Sequence, residues 1–254
     1  MIGIVRRVIK SSGIGLSRKI YNSESPMSLF CARLDRAPAA QSTGIGMIAI
    51  LNYDTADTQA LHDALSGLGV AQQRVDSLDQ LDRAARIILP HGDSFAAMIH
   101  DIRDSGYLPV LFRALDQGRP ILGIGRGMHL FFDVCYDKGQ HTGLGFIPGK
   151  VTSPRERAAP SFAAATTEAQ SQGVRWTRRS VLVHGVPAGA AFHFECDELA
   201  EPLDDQMALA QTASISSRTA AVEDGPVFGV QFLPERSGEA GSIILSNFIR
   251  APLR

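Results

Sequence analysis

Residues 119–132, Arg-Pro-Ile-Leu-Gly-Ile-Gly-Arg-Gly-Met-His-Leu-Phe-Phe, constrain the fold more than any other stretch of this chain. Arg119–Ile124 reads as a short apolar strand buried on both faces, as in the interior of a parallel sheet. Gly123, Gly125 and Gly127 follow at alternate positions. Only glycine takes positive φ and close backbone approach cheaply, so a sharp turn is expected there. Met128–Cys135 continues as an apolar run of helix length and is expected to be helical. Strand, glycine turn and helix make an elbow that lifts one side chain above the sheet at a helix N-terminus. A reactive elbow carries Cys or Ser at its apex. Here the apex is Gly125, which has no side chain.

The rest of 47–254 alternates in the same style. Met47–Leu51, Val70–Val75 and Arg86–Pro90 read as strands, while Thr55–Leu68, Asp93–Ile102 and Leu108–Leu115 read as helices. Thr55–Leu68 places Ala60, Leu61, Ala64, Leu65 and Leu68 on one face and closes at Gly69. This alternation implies βαβ units and a parallel sheet with helices on both faces. Ligands in such sheets bind beyond the carboxyl ends of the strands, where the elbow sits. Pro154–Gly173, rich in Ala, Ser, Thr and charge, reads as a surface insertion. Ser180–Val183, Ala191–Phe194, Met207–Thr212, Thr219–Val222 and Val227–Phe232 read as strands that extend one sheet, and Ser242–Ile249 as a closing helix. The expected fold is therefore α/β, a three-layer doubly wound and mostly parallel sheet with an antiparallel extension.

Charge divides the chain. Residues 1–46 carry seven of the 25 basic residues and two of the 26 acidic ones, so an arm of net +5 precedes a body of net −6. The arm is Ser-rich and ends in a Pro/Ala/Gly/Ser/Thr stretch. That composition suits a disordered extension better than an organelle transit peptide, and a true start at Met47 is a third reading. The near balance of the whole argues against nucleic acid or a membrane surface as partner. Cys31, Cys135 and Cys196 are too few and too scattered for a disulfide framework or a zinc site, which fits a reducing, cytoplasmic setting. No metal spacing and no Walker loop occurs, so neither metal nor cofactor is expected.

Three segments carry a family resemblance. Leu122-Gly123-Ile124-Gly125-Arg126-Gly127-Met128-His129-Leu130 resembles the elbow Leu-Gly-Ile-Cys-Leu-Gly-Met-Gln-Leu of class I glutamine amidotransferases, above all the glutaminase subunit of imidazole glycerol phosphate synthase. Phe228–Gly241, containing Leu233-Pro234-Glu235 and Arg236-Ser237-Gly238-Glu239-Ala240-Gly241, resembles that family's strand ending in His-Pro-Glu followed by Lys-Ser-Gly-Glu-Ala-Gly. Met47–Tyr53 resembles the family's own N-terminus. The likeness spans 47–254 and implies the class I amidotransferase fold, a role in histidine biosynthesis and a cyclase or synthase-type barrel subunit as partner in a heterodimer.

Residue by residue, the resemblance places the family's triad at Gly125 for the cysteine, Leu233 for the histidine and Glu235 for the glutamate. Glycine cannot form a thioester and leucine cannot carry a proton. Glu235 is then expected as a surface or helix-start carboxylate. Pocket equivalents are Gly92 and Asp93 from the family's oxyanion strand, Arg126 after the nucleophile, His129 for a glutamine-contacting Gln, and Asp137 for an acid that grips the substrate ammonium. An inward Asp93 would repel a developing oxyanion. Phe194-Glu195-Cys196 and Val174-Arg175-Trp176 align loosely with the family's His-Ser-Tyr and Met-Gly-Trp segments. Cys135 is expected along the elbow helix as a core thiol. His91, Ser94, His129 and His193 are candidates for a Ser/His pair, with scattered polar positions as the favoured reading. The glycine turn with Arg126 is also a place for a small anionic ligand. Two function classes stay open: a pseudoenzyme subunit that docks without hydrolysing glutamine, and an active amidotransferase or other hydrolase using a remodelled cleft.

Overall fold

The computed structural model describes residues 46–53, 58–153, 170–213 and 217–253. The expectations for the basic extension and for residues 154–169 of the insertion lie outside these residues. In chain order the first half holds β1 (Ile48–Ile50), α1 (Gln59–Gly67), β2 (Gln72–Arg74), α2 (Leu78–Arg83), β3 (Arg86–Leu89), α3 (Phe95–Asp104), α4 (Leu108–Asp116), β4 (Ile121–Ile124) and α5 (Arg126–His129). Next come β5 (Phe132–Tyr136), β6 (Gln140–Thr142), β7 (Ile147–Thr152), β8 (Gln170–Trp176), β9 (Ala191–Phe194), β10 (Leu199–Pro202), β11 (Ala208–Thr212), β12 (Thr219–Asp224), β13 (Val227–Val230) and α6 (Gly238–Ile249).

Nine strands form one sheet in the order β2-β1-β3-β4-β13-β12-β11-β8-β9. The run from β2 to β13 is parallel and the run from β13 to β9 is antiparallel. Side-chain alternation splits the parallel strands between two cores. Ala49, Ile87, Leu89 and Ile121 face α3 and α4, and Ile48, Ile50, Ile88, Leu122 and Ile124 face α1 and α6. Helix, sheet and helix are the three layers. Buried Arg86 fastens the far layer by donating from Nε to Phe248 O at 3.3 Å and from Nη2 to Ala251 O at 2.7 Å. Phe248 lies in the last turn of α6 and Ala251 just past its end, where a cation complements the helix dipole.

Four features correct the sequence reading. The helix expected over Met128–Cys135 is a four-residue turn of helix, after which the chain enters β5. An apolar run of this length does not distinguish the two states, and its Phe, Val and Tyr residues suit a strand once β7 is there to pair with. Cys135 therefore lies in a strand, paired with Val151 and His141. Second, the extension over Ala191–Phe194, Met207–Thr212, Thr219–Val222 and Val227–Phe232 does continue one sheet, but β10, β7, β5 and β6 form a separate four-stranded sheet that the sequence reading lacked, which contributes Phe132, Cys135, Ile147, Val151 and Ala200 to the α3/α4 core. Third, Ser180–Val183 holds a short 3-10 turn, with Leu182 N–H bonded to Ser180 Oγ at 3.0 Å. Fourth, residues 170–173, read as insertion, begin β8. The sequence reading also lacked α2, which is capped by Ser77, whose Oγ accepts Gln80 N–H.

Candidate functional site

Parallel pairing of β3, β4 and β13 sends three loops to one edge of the sheet. Leu89 is level with Gly123, and Val230 with Ile124. Pro90–Asp93, Gly125–His129 and Gln231–Glu235 consequently converge. Gly125 opens α5 at φ 56° and ψ −123°, and its N–H donates to Val230 O at 2.8 Å. The elbow expected from the glycine spacing is present. Gly127 is required by close approach, since a Cβ there would fall 2.0 Å from Leu89 O.

The apex is covered by a neighbouring side chain. His91 from the β3 loop lies against Gly125, and a Cβ at 125 would meet its Nδ1 at 2.3 Å. Arg126 N–H, the amide that follows the apex, donates to that same Nδ1 at 3.2 Å. Nδ1 is the acceptor, so the neutral ring carries its proton on Nε2. Burial, then the Arg126 cation, hold His91 below the usual histidine range. His91 thus does not pair with Ser94, and His193 is engaged elsewhere, its Nε2 3.0 Å from Glu195 Oε1. Among the described residues no hydrogen bond joins Ser94 to a histidine.

Behind the elbow, Arg126 turns inward. Its Nε and Nη2 both lie 2.9 Å from Glu198 Oε1, and Nη1 donates to Gly92 O at 3.2 Å. The guanidinium is thereby engaged with Glu198 and Gly92 beside the glycine turn, where a small anionic ligand was one candidate. Glu198 is buried, which by itself raises a carboxyl, yet His129 and Arg126 hold it below the ordinary range. His129 is 1% exposed. Burial, with help from Arg126 and His91, pushes its ring down to about 4, so the imidazole is neutral at pH 7. Asp137 is half-buried past the end of β5 and adds to the field on Arg126. Asp93 is exposed, which removes the expected conflict with an oxyanion.

The other triad positions lie on the loop after β13. Leu233 is 2% exposed and belongs to the α1/α6 core, as do Phe192, Phe194 and Phe232. Its N–H donates to His193 O and its carbonyl accepts from Ser237 Oγ. Glu235 lies in the 3-10 turn Pro234–Arg236 before α6, half-buried rather than on the open surface. Burial pushes its carboxyl up to about 7, assisted by the nearby Glu195 and opposed by Arg236. Arg236 Nη1 itself binds Glu195 Oε1. Sequence reasoning missed Glu198 altogether and placed His91 only as a catalytic candidate. The absence of a side chain at Gly125 was the one signal of room for an imidazole.

No protein-family model matches the chain. Individual proteins do. The Salinibacter ruber protein described as imidazole glycerol phosphate synthase subunit HisH is 32% identical over 209 residues, which span 81% of this chain and 95% of that protein. The Synechocystis protein of the same description is 32% identical over 208 residues, spanning 81% and 97%. Among solved structures, PurLQS from Thermotoga maritima superposes with a TM-score of 0.63 at 16% identity, covering 81% of this chain and 98% of that one. A structure described as glutamine amidotransferase gives 0.62 at 16% identity, covering 80% and 97%. At these identities the structural likeness speaks for the fold, and the sequence matches speak for the family.

Proposed function

The chain belongs to the family of the imidazole glycerol phosphate synthase subunit HisH, and on that premise we propose that it is a member that hydrolyses no glutamine and serves as a docking subunit for a synthase-type partner. The observation that carries the reading is the His91 ring at the apex. Glutamine hydrolysis requires a nucleophile there, a base beside it and a free amide for the oxyanion. Gly125 supplies no nucleophile, Leu233 is apolar, and the Arg126 amide is taken by His91. In other hydrolases, loss of a nucleophile or base costs about 10⁶ in turnover. Among the described residues no neighbouring thiol replaces it: Cys135 and Cys196 are buried, and burial holds the Cys196 thiol in its protonated form. The partner would be a cyclase or other synthase-type barrel subunit, as the family resemblance implies, and the relatives are described as subunits of imidazole glycerol phosphate synthase.

The test combines association and turnover. The full chain is mixed with the cognate synthase subunit and that subunit's ligand. Complex formation is followed by size-exclusion chromatography and glutamate release by a coupled assay. Co-elution with no glutamate above a blank is the expected result. Glutamate release that persists after contaminating glutaminases are removed would overturn the inactive reading, and failure to associate would overturn the docking role.

A further inference from the structure

One cluster is not used by this reading. His129 from α5 meets Cys196 and Glu198, from the loop between β9 and β10, in the space behind the elbow. A ring nitrogen, the thiol sulfur and a carboxylate oxygen all lie within 4.8 Å of one another. All three residues are buried, at 1%, 7% and 6% exposure. We propose that His129, Cys196 and Glu198 form a buried three-ligand site for a divalent transition metal of the zinc type. The inference stands independently of whether the protein hydrolyses glutamine.

Orphaned polar atoms are the second observation. His129 Nε2 and Glu198 Oε2 are buried with no hydrogen-bond partner, and so is Gln231 Oε1. Gln231 is joined to both of the other residues: its Nε2 donates to Glu198 O at 2.6 Å, and its carbonyl accepts from Cys196 Sγ at 3.6 Å. Buried polar atoms of folded proteins are nearly always satisfied, so several around one spot ask for an occupant.

The donor set selects its class. One sulfur, one imidazole and one carboxylate make the borderline mixture that suits zinc, whereas calcium and magnesium take oxygen alone and copper(I) favours sulfur. Zinc bonds of about 2.0–2.3 Å put tetrahedral ligand atoms about 3.5 Å apart, so the side chains close by about 1 Å on binding. Thiolate and carboxylate balance the double positive charge. Metal displaces the Cys196 proton, which leaves to solvent, so binding releases one proton. Arg126 grips Oε1 of Glu198 and leaves Oε2 as the ligand atom, the kind of outer contact that orients metal-binding carboxylates. Because the ligands are buried, the ion would be taken up during folding.

The experiment uses the full-length, untagged chain expressed with added zinc and desalted. Elemental analysis should find about one zinc per chain, and refolding with cobalt(II) should give an intense near-ultraviolet thiolate-to-cobalt band. Cys196→Ala and His129→Gln should each reduce retained metal more than tenfold. Where either fails to fold, the Cys31→Ser/Cys135→Ala chain decides, because Cys196 is then its one thiol and both metal and band must survive. Folded wild-type protein holding only trace metal and giving no cobalt band would overturn the proposal. So would metal retained undiminished in folded Cys196→Ala, or a band lost from the Cys31→Ser/Cys135→Ala chain.

Discussion

Placing a methyl group at position 125 tests whether an imidazole fills the apex. An ideal Cβ there lies 2.3 Å from His91 Nδ1, 3.0 Å from Cγ and 3.1 Å from Cβ. The residue also sits at φ 56°, where an L side chain costs ~1–3 kcal/mol in backbone strain. To escape the contact the ring must swing away. It then gives up the Arg126 N–H bond, worth ~0.5–1.5 kcal/mol, and accepts a poorer rotamer at ~0.5–1.5 kcal/mol. Gly125→Ala should therefore destabilise by ~2–6 kcal/mol, with only the strain part, ~1–3 kcal/mol, remaining in a His91→Ala background. A double-mutant cycle by urea unfolding reads the difference, a coupling of ~1–3 kcal/mol. Additivity within ~0.5 kcal/mol would refute the packing, since residues out of contact behave that way. It would also remove the observation that carries the inactive reading. The same geometry predicts that a Gly125→Cys thiol reacts with an alkylating reagent faster when His91 is Ala than when it is present.

Glu235→Gln should stabilise the protein at pH 8 by ~1–3 kcal/mol and change little at pH 4. The sign follows from a folded carboxyl raised to about 7: its contribution is complete below the ordinary range near 4.5 and is lost as pH rises through 7. Urea midpoints across that window measure it, and a flat difference would sink the assignment. Arg126→Met leaves the Glu198 carboxylate buried without its cation and should cost ~3–5 kcal/mol. Adding Glu198→Gln should recover part of that loss, and thermal melting of the pair of variants checks it. Gly127→Ala forces a Cβ to within 2.0 Å of Leu89 O, a backbone contact that cannot rotate away, so the chain should fail to accumulate as soluble folded protein. Normal melting of that variant would mean that α5 does not lie on β3 as described.

Most of the parallel half of the fold was legible because its inner strands β1, β3 and β4 are continuous apolar runs and α1, α3 and α4 carry a 3.6-residue stripe. Met47–Leu51, Arg86–Pro90 and Arg119–Ile124 contain β1, β3 and β4, and Gly123, Gly125 and Gly127 marked the elbow. The second sheet was not legible. Gln140–Thr142 is polar, and Phe132–Tyr136 is as apolar as a helix of the same length. Phe132–Tyr136 becomes a strand only by pairing with β7, and Gln140–Thr142 only by pairing with Phe132–Tyr136, while the other neighbour of β7, β10, lies some fifty residues farther along the chain. Strand preference of this kind is set by neighbours more than by the residue itself. The site divides the same way. Gly125 and Leu233 could be read directly against the resemblance. The seating of His91 on Gly125 depends on a loop from another strand, and the meeting of His129 with Cys196 and Glu198 joins residues nearly seventy positions apart.

The departures around the elbow depend on one another. His91 can lie on position 125 only because glycine has no Cβ there. Once seated, its Nδ1 satisfies the Arg126 amide, which a buried helix start would otherwise leave unpaired. The Arg126 side chain then ties the same loop down through Gly92 O while neutralising Glu198. Loop, apex and buried carboxylate thus close into one ring of contacts around two adjacent residues, His91 and Gly92. A nucleophile placed at 125 would have to displace the imidazole, reopen the amide and leave Arg126 holding a loop that had moved. Leu233 adds a separate obstacle, because its side chain is buried in the α1/α6 core and a histidine there would exchange apolar packing for a buried polar ring. Supplying the two missing triad side chains would therefore leave the site closed. An open elbow requires the β3 loop to take another path, and that path is set by His91, Gly92 and Arg126 together.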